Sequence, residues 1–455
     1  MAKIIDKLKL VRQLRGCVKY IQHIKKKNKG AILQYCTGFG KTFVAILLLK
    51  KILKKWNNCI TIIVVPTDQL RTQWRGIIKE EKLNATVYTI QSLTKGNKTF
   101  NCDFLILDEM HLYPKGAVFS TVFSKVKYNL LLGLTATLTD ELKAKLKPYA
   151  EVVDIITQKE GKDNGWISDY IEYNLPVDLT LHDKNEYAKI NREYNKHFAY
   201  FNHDFNLAMQ CRTKLGSQAY ADQMGWDQKE VVFRANRWGH FMKERKEWLY
   251  NTQCKINLTV EIIKRFDVKT IVFSESQVFA NGVARQLGDK AVAYHSYLDT
   301  ELRSNNKTIG YIVKEGKATV IKDINYQNTT LIDLQKKYSK IVKVGTTKLL
   351  KEALLKFTDN RYKISAICTA RKLNQGTDIP DVALGIIGAR TSSTSDSVQE
   401  TGRIARKHKL KDGTMKRGVI VNIYIPKSQD EKWMRKAQSN PDIIEISSID
   451  EIKFN

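Results

Sequence analysis

The chain has 455 residues, and at roughly 150 residues per domain that length excludes one ordinary core and implies two to four structural units. Its 76 Lys and Arg exceed its 47 Asp and Glu, leaving a formal charge of +29 that suits a phosphate backbone, with an anionic membrane surface or simple solubility as the alternatives. No stretch reaches about 20 uninterrupted apolar residues, the N-terminus lacks the apolar core of a secretory signal, and the seven cysteines form no CxxC pair, so a membrane span, a zinc finger and a disulfide framework are all unexpected, and a cytoplasmic location is expected.

From about Leu10 to Lys147, short apolar runs alternate with helical stretches. Ala31–Tyr35, Thr61–Val65, Phe104–Leu107 and Leu131–Leu134 read as strands, each followed by polar or turn residues, and the alternation predicts a parallel sheet with crossover helices over 1–150. Residues 151–267 turn polar, aromatic and helical in pattern, as in Lys184–Tyr194 and Arg237–Trp248, and predict a helical bridge. The α/β rhythm returns over 268–430, with strands at Lys269–Phe273, Ala366–Cys368, Val382–Ile387 and Gly418–Tyr424. An insertion at about 304–344 carries β-rich arms around Glu315-Gly316, a hairpin signal, and 431–455 reads as a C-terminal tail.

A triphosphate needs backbone N–H groups to cradle it, a cation on its outer phosphates and an oxygen ligand for Mg²⁺. The turn Cys36-Thr37-Gly38-Phe39-Gly40-Lys41-Thr42, between a strand and an apolar helix, offers all three: Thr37 to Gly40 wrap the phosphates, Lys41 reaches them, and the Thr42 hydroxyl is a metal ligand. Strict phosphate-loop spacing would place glycine where Tyr35 stands, and Phe39 is bulky for its position, fitting best if it faces away from the phosphates. Downstream, the apolar strand Phe104–Leu107 ends in Asp108 and Glu109, which places two carboxylates at the carboxyl edge of a parallel sheet beside that loop. Asp108 is suited to hold Mg²⁺ through water and Glu109 to orient and deprotonate the attacking water.

Together with Val65–Trp74, Thr89–Leu93, Thr135-Ala136-Thr137, Ile271–Ser274, Asn374–Asp381 and Gln399–Arg406, these elements resemble, in order, the motifs of the DExH branch of superfamily 2 helicases. The resemblance implies an α/β fold of two RecA-like lobes with parallel sheets, a helical insertion between them and a β-hairpin-like insertion in the second. It implies ATP and Mg²⁺ as substrate and cofactor, with Arg403 and Arg406 as arginine fingers, Gln399 at the γ-phosphate and Asp378 near the ribose or the fingers. His111, Thr135 and Thr137 would couple hydrolysis to lobe movement. Relatives often carry an adenine-reading glutamine in a Leu-Arg-x-x-Gln segment; here Leu14-Arg15-Gly16-Cys17-Val18 puts valine there, with Gln13 or Gln22 as the available substitutes.

By the same resemblance Thr67, Arg71, Gln91, Ser92, Thr369, Arg371 and Gln375 occupy strand-gripping positions. The basic runs Lys25–Lys29 and Lys50–Lys55 add electrostatic attraction or are solvated helix faces. The aromatics of the bridge, Tyr194, Phe198, Tyr200, Phe201, Phe205, Trp226, Trp238 and Trp248, either stack on bases or form the core of a helical subdomain. The chain looks most like phage DNA branch-migration and fork-remodelling helicases of the UvsW type, with the XPB and RecG groups more distant. That likeness implies branched or forked DNA as the partner, a monomeric state and the host cytoplasm. An RNA helicase would share every motif, as would the translocase subunit of a restriction system, for which the chain shows no carboxylate-lysine nuclease constellation.

Overall fold

The computed structural model describes the chain apart from residues 1, 96–97, 116, 296–307, 315–316, 323–340, 344–345, 371–378, 380–381, 391–401, 403, 405–416, 439, 441 and 455. Six parallel strands, β1 (Gly30–Tyr35), β2 (Thr61–Val65), β3 (Thr86–Thr89), β4 (Phe100–Leu107), β5 (Val126–Thr135) and β6 (Glu151–Ile156), form a first sheet in the order β3-β2-β4-β5-β1-β6. The central strands read as continuous apolar runs because helices cover both faces of a parallel sheet. Leu33, Ile63, Ile106 and Leu132 are fully buried on one side with helix α2 (Lys41–Lys55), and Ile32, Val64, Leu105 and Leu131 on the other. Helices α1 (Ala2–Lys25) and α3 (Asp68–Glu80) complete the layer, α3 capped by the Thr67 side chain.

A second sheet has seven parallel strands: β7 (Tyr170–Pro176), β8 (Thr270–Ser274), β9 (Ala291–Tyr294), β13 (Ala366–Ala370), β14 (Leu384–Ala389), β15 (Gly418–Tyr424) and β16 (Ile443–Glu445), in the order β16-β7-β15-β14-β8-β13-β9. Between β9 and β13 the chain inserts a three-stranded antiparallel sheet of β10 (Thr308–Lys314), β11 (Lys317–Lys322) and β12 (Ile341–Lys343). Lys314 pairs with Lys317, so the expected hairpin forms, with its turn residues outside the described ones. Two parallel α/β lobes are therefore present, as the sequence predicts.

The domain limits differ from the sequence reading. The predicted bridge, 151–267, opens with β6, the edge strand of the first sheet, and then gives β7 to the second sheet. Its helical part proper is Leu181–Ala199, Phe205–Gln210, Lys214–Met224 and Gln228–Asn251. The next helix, Gln253–Phe266, buries Ile256, Val260 and Ile263 in the second lobe. Nor is 431–455 a tail, because β16 pairs with β7 and the helix Gln429–Ala437 places Asp430 2.6 Å from the fully buried Lys255. Lys255 also donates to Gly388 O at 2.9 Å, so one buried cation ties three elements together.

The bridge aromatics resolve mostly as core. Tyr194, Phe201, Tyr220 and Trp238 are buried with Phe198, Tyr200 and Trp226 packed against them, whereas Phe205 is half-exposed and Trp248 donates to Glu186. The charged residues of both basic runs are exposed: Lys50–Lys55 is a solvated face at the end of α2, whereas Lys26 to Lys29 lie in the turn between α1 and β1. Among the described residues no helix is long and apolar enough to cross a membrane, and no cluster of His, Cys, Asp and Glu could hold a metal by itself.

Candidate active site

The phosphate loop leaves β1 at Tyr35 and enters α2 at Lys41. Gly38 and Gly40 hold φ of 86° and 102°, left-handed values that a side chain would resist, which explains glycine at both positions. Tyr35 stands in place of a loop glycine because it faces the core, where its hydroxyl donates to Asp154 at 2.7 Å. Phe39 is also fully buried, edge-on to Tyr35 at 5.3 Å and to Trp166 at 5.4 Å. Its ring therefore points away from the phosphate side, as expected, and its bulk anchors the loop to the segment that links the two lobes.

Across the sheet, β4 ends with Asp108 buried and Glu109 at φ 51°, a strained setting for a side-chain residue of the kind that collects at functional sites. Trp74 Nε1 donates to Asp108 Oδ2 at 2.8 Å and the Glu109 N–H to Oδ1 at 3.0 Å. Burial pushes the Asp108 carboxyl up to about 6; the Glu109 charge adds to this, and the Trp74 hydrogen bond and Lys41 oppose it. Lys41 Nζ lies 3.9 Å from Glu109 Oε1, and His111 Nδ1 lies 3.4 Å from Oε2 and 3.1 Å from the Thr135 hydroxyl, which donates to Thr137 O at 3.0 Å. A polar chain thus runs from Lys41 through Glu109 and His111 to the end of β5, joining the predicted catalytic and coupling residues.

Among the described residues two buried oxygens here accept no hydrogen bond, Thr37 Oγ1 and Glu109 Oε2, the latter having only the His111 ring at 3.4 Å. A carboxylate whose two oxygens lie near Lys41 and His111 without a hydrogen bond to Oε2, together with a phosphate-loop hydroxyl left open, fits a site built for a hydrated cation and phosphates. From the second lobe, Gly402 sits directly against Thr37, so close that a methyl group on Gly402 would overlap the threonine side chain. Ile404, two residues on, is fully buried against Gly385 and Gly418. The segment expected to carry the arginine fingers thus touches the phosphate loop; Arg403, Arg406, Gln399 and Asp378 themselves lie outside the described residues.

The strand-gripping candidates divide. Thr67 and Gln91-Ser92 follow β2 and β3, neighbours in register at Val65 and Thr89, so they share the carboxyl edge of the sheet. Ser92 and Thr89 form a reciprocal helix cap, Gln91 is exposed, and Arg71 pairs with Asp68 at 2.7 Å. Thr369 is buried inside β13 rather than on an open surface, while Arg371 and Gln375 lie outside the described residues. Three residues escaped the sequence reading: Trp74 as the donor to Asp108, Trp166 as the prop of Phe39, and Lys9, which bonds to Gly38 O from α1; Gln13, weighed there as a base reader, instead bonds to Phe39 O. All are long-range, and only an unexplained buried Trp or Gln could have hinted at them.

Residues 10–140 match the family model described as the res subunit of Type III restriction enzymes. A protein of Sulfurisphaera tokodaii, the DNA 3'-5' translocase XPB2, is 25% identical over 430 residues, covering 90% of this chain and 81% of that one. These findings support a superfamily 2 helicase. In fold, the chain is similar to the Pyrococcus furiosus Hef helicase domain (TM-score 0.51, 14% identity, 92% of this chain and 98% of that one). It is also similar to a putative HsdR subunit of a type I restriction enzyme from Vibrio vulnificus (0.53, 16%, 96% and 68%) and to the Type ISP restriction-modification enzyme LlaBIII bound to DNA (0.52, 15%, 96% and 31%).

Proposed function

We propose that this chain is a superfamily 2 helicase, an ATP-driven DNA translocase that remodels branched DNA. The observation that carries the motor reading is the contact of Gly402 with Thr37, which sets the second lobe on the phosphate loop at the head of the Lys41–Glu109–His111–Thr135 chain. ATP is the substrate of this site, and Mg²⁺, held by Thr42 and Asp108, would neutralise charge on the phosphates. Lys41 binds the outer phosphates, Glu109 orients and takes a proton from the attacking water, and His111 with Thr135 relays the state of Glu109 to β5. Arg403 and Arg406 would place their charge on the γ-phosphate only when the lobes close, so hydrolysis is tied to lobe movement.

The name of the XPB2 relative and the LlaBIII complex favour DNA as the track. A translocase subunit of a restriction system is the second reading, favoured by the family model over residues 10–140 and by the two restriction-enzyme neighbours. ATPase turnover measured with single-stranded DNA, linear duplex, forks, four-way junctions and RNA separates them. Forks and junctions should stimulate most; stimulation by linear duplex alone would favour the restriction reading, stimulation by RNA alone would refute a DNA track, and none at all would sink the motor.

Asp108 gives that assay a pH signature. With a carboxyl titrating at about 6, the metal-free enzyme loses the Asp108 charge as pH falls. The kcat/KM for ATP should therefore drop along an acid limb centred near pH 6, and raising Mg²⁺ should move the limb to lower pH, because a cation favours the carboxylate.

The helical region supplies a further contact in this reading. Arg212, Lys214, Gln228, Lys229, Val232 and the half-exposed Phe233 line an open groove of about 530 Å³ with no carboxylate in its wall. Reversing two charges, Lys214→Glu with Lys229→Glu, should weaken DNA binding about tenfold and reduce the slope of log K against log salt by about two. DNA-independent ATPase should be unchanged; an unaltered salt slope would remove the groove from the DNA path.

A further inference from the structure

Helix α1 packs beside the phosphate loop and meets it with two side chains one helical turn apart. Lys9 Nζ donates to Gly38 O at 3.1 Å and to Trp166 O at 3.0 Å. Gln13, almost fully buried, donates through Nε2 to Phe39 O at 2.8 Å. The carbonyl can only accept, so the amide nitrogen must face it. Gln13 is also close enough to Gly40 that a β-carbon there would come within 2.8 Å of Nε2. The helix itself is pinned by Asp154 on β6, which receives Arg12 at 2.5 Å, Lys19 at 2.6 Å and the Tyr35 hydroxyl at 2.7 Å.

The carbonyl of Phe39 and the N–H of Gly40 belong to one planar trans peptide and point in opposite directions. Gly40, at φ 102°, sits in backbone space where a glycine can let that peptide rotate. A rotated peptide would turn an oxygen toward the phosphates, where an N–H is required. The hydrogen bond from Gln13 holds the carbonyl on the α1 side and so keeps the Gly40 N–H on the other.

We propose that Gln13 is a positioning residue that locks the Phe39–Gly40 peptide in the phosphate-binding orientation and does not read the nucleotide base. This rests on the loop being a nucleotide site. A glutamine whose amide donor is bound to a main-chain oxygen inside the protein serves the phosphates alike for every base. The valine at position 18 then leaves α1 without a base-reading glutamine in the Leu-Arg-x-x-Gln position, and Gln22 is exposed near the far end of the helix.

The test compares wild type with Gln13→Met, which keeps the bulk without a donor, and Gln13→Glu, which sets a carboxylate against the carbonyl. KM and kcat are measured for Mg·ATP and Mg·GTP with stimulating DNA, alongside equilibrium binding of both nucleotides and thermal melting. Both variants should raise KM about tenfold, the effect of one buried hydrogen bond, and by the same factor for ATP and GTP, with kcat within about threefold of wild type. A loss confined to ATP would make Gln13 a base reader and overturn the proposal, as would wild-type KM in Gln13→Met. Should Gln13→Glu fail to fold, Gln13→Met decides alone. If wild type bound neither nucleotide, the ATPase reading would fall first and this proposal with it, an outcome distinct from normal binding that ignores the substitutions.

Discussion

Glu109→Gln should bind ATP as wild type does and hydrolyse it at least about a hundredfold more slowly, with DNA binding intact. The substitution keeps the shape of the side chain and removes the charge that faces Lys41 at 3.9 Å and His111 at 3.4 Å. It also removes the base, since a carboxamide cannot take a proton from water near neutral pH. The left-handed backbone at residue 109 is tolerated by glutamine as it is by glutamate, so the fold should survive. Nucleotide binding by equilibrium titration and single-turnover hydrolysis separate the two effects. A variant with weakened binding and an unchanged chemical step would show that Glu109 shapes the cradle instead of acting on water. Lys41→Ala should do the reverse and lose binding first.

Gly402→Leu is expected to abolish DNA-stimulated hydrolysis while leaving each lobe folded. Even a methyl at this position would overlap Thr37, and an isobutyl group cannot be accommodated by rotating that short side chain. The second lobe must then stand off from the phosphate loop, and a guanidinium displaced by even 1 Å from the transition state loses much of its effect, on the order of a hundredfold. Nucleotide binding to the first lobe alone should persist, because Lys41, Thr42 and Asp108 are untouched. Thr37→Gly, which removes the β-carbon that stands nearest to Gly402 together with its methyl and hydroxyl, should partly restore activity to Gly402→Ala. Additive losses in that pair, read in a double-mutant cycle, would show that the contact plays no part in closure.

What the sequence discloses and what it hides have physical causes. The central strands were legible because a strand covered on both faces is mostly apolar, as in Thr61–Val65 and, apart from Asn422, Gly418–Tyr424, whose limits agree with the observed ones. The strands at the margins were not. β6 carries Asp154 and β7 carries Glu172 and Asn174, polar residues that interrupt the apolar signature. They are buried only because distant partners satisfy them: Arg12, Lys19 and Tyr35 for Asp154, and Asn422 for Glu172 and Asn174. The candidate carboxylates and the lysine could be read locally, since a strand end and a loop place them by short-range geometry. The donors that tune them, Trp74 34 residues from Asp108 and Gln13 26 residues from Phe39, depend on tertiary packing.

The two sheets also differ in how they can be assembled as the chain emerges. Every strand of the first sheet lies between residues 30 and 156, so that lobe can close while the remainder is still being synthesised. The second sheet joins β7, at Tyr170–Pro176, to β15, at Gly418–Tyr424, and finishes with β16, close to the end of the chain. Until those late residues appear, β7 has an open edge on each side, with Glu172 and Asn174 waiting for Asn422. The half that carries the phosphate loop should therefore fold early and independently, and the half that brings Gly402 against it should form slowly, last, and with the greater exposure to misassembly.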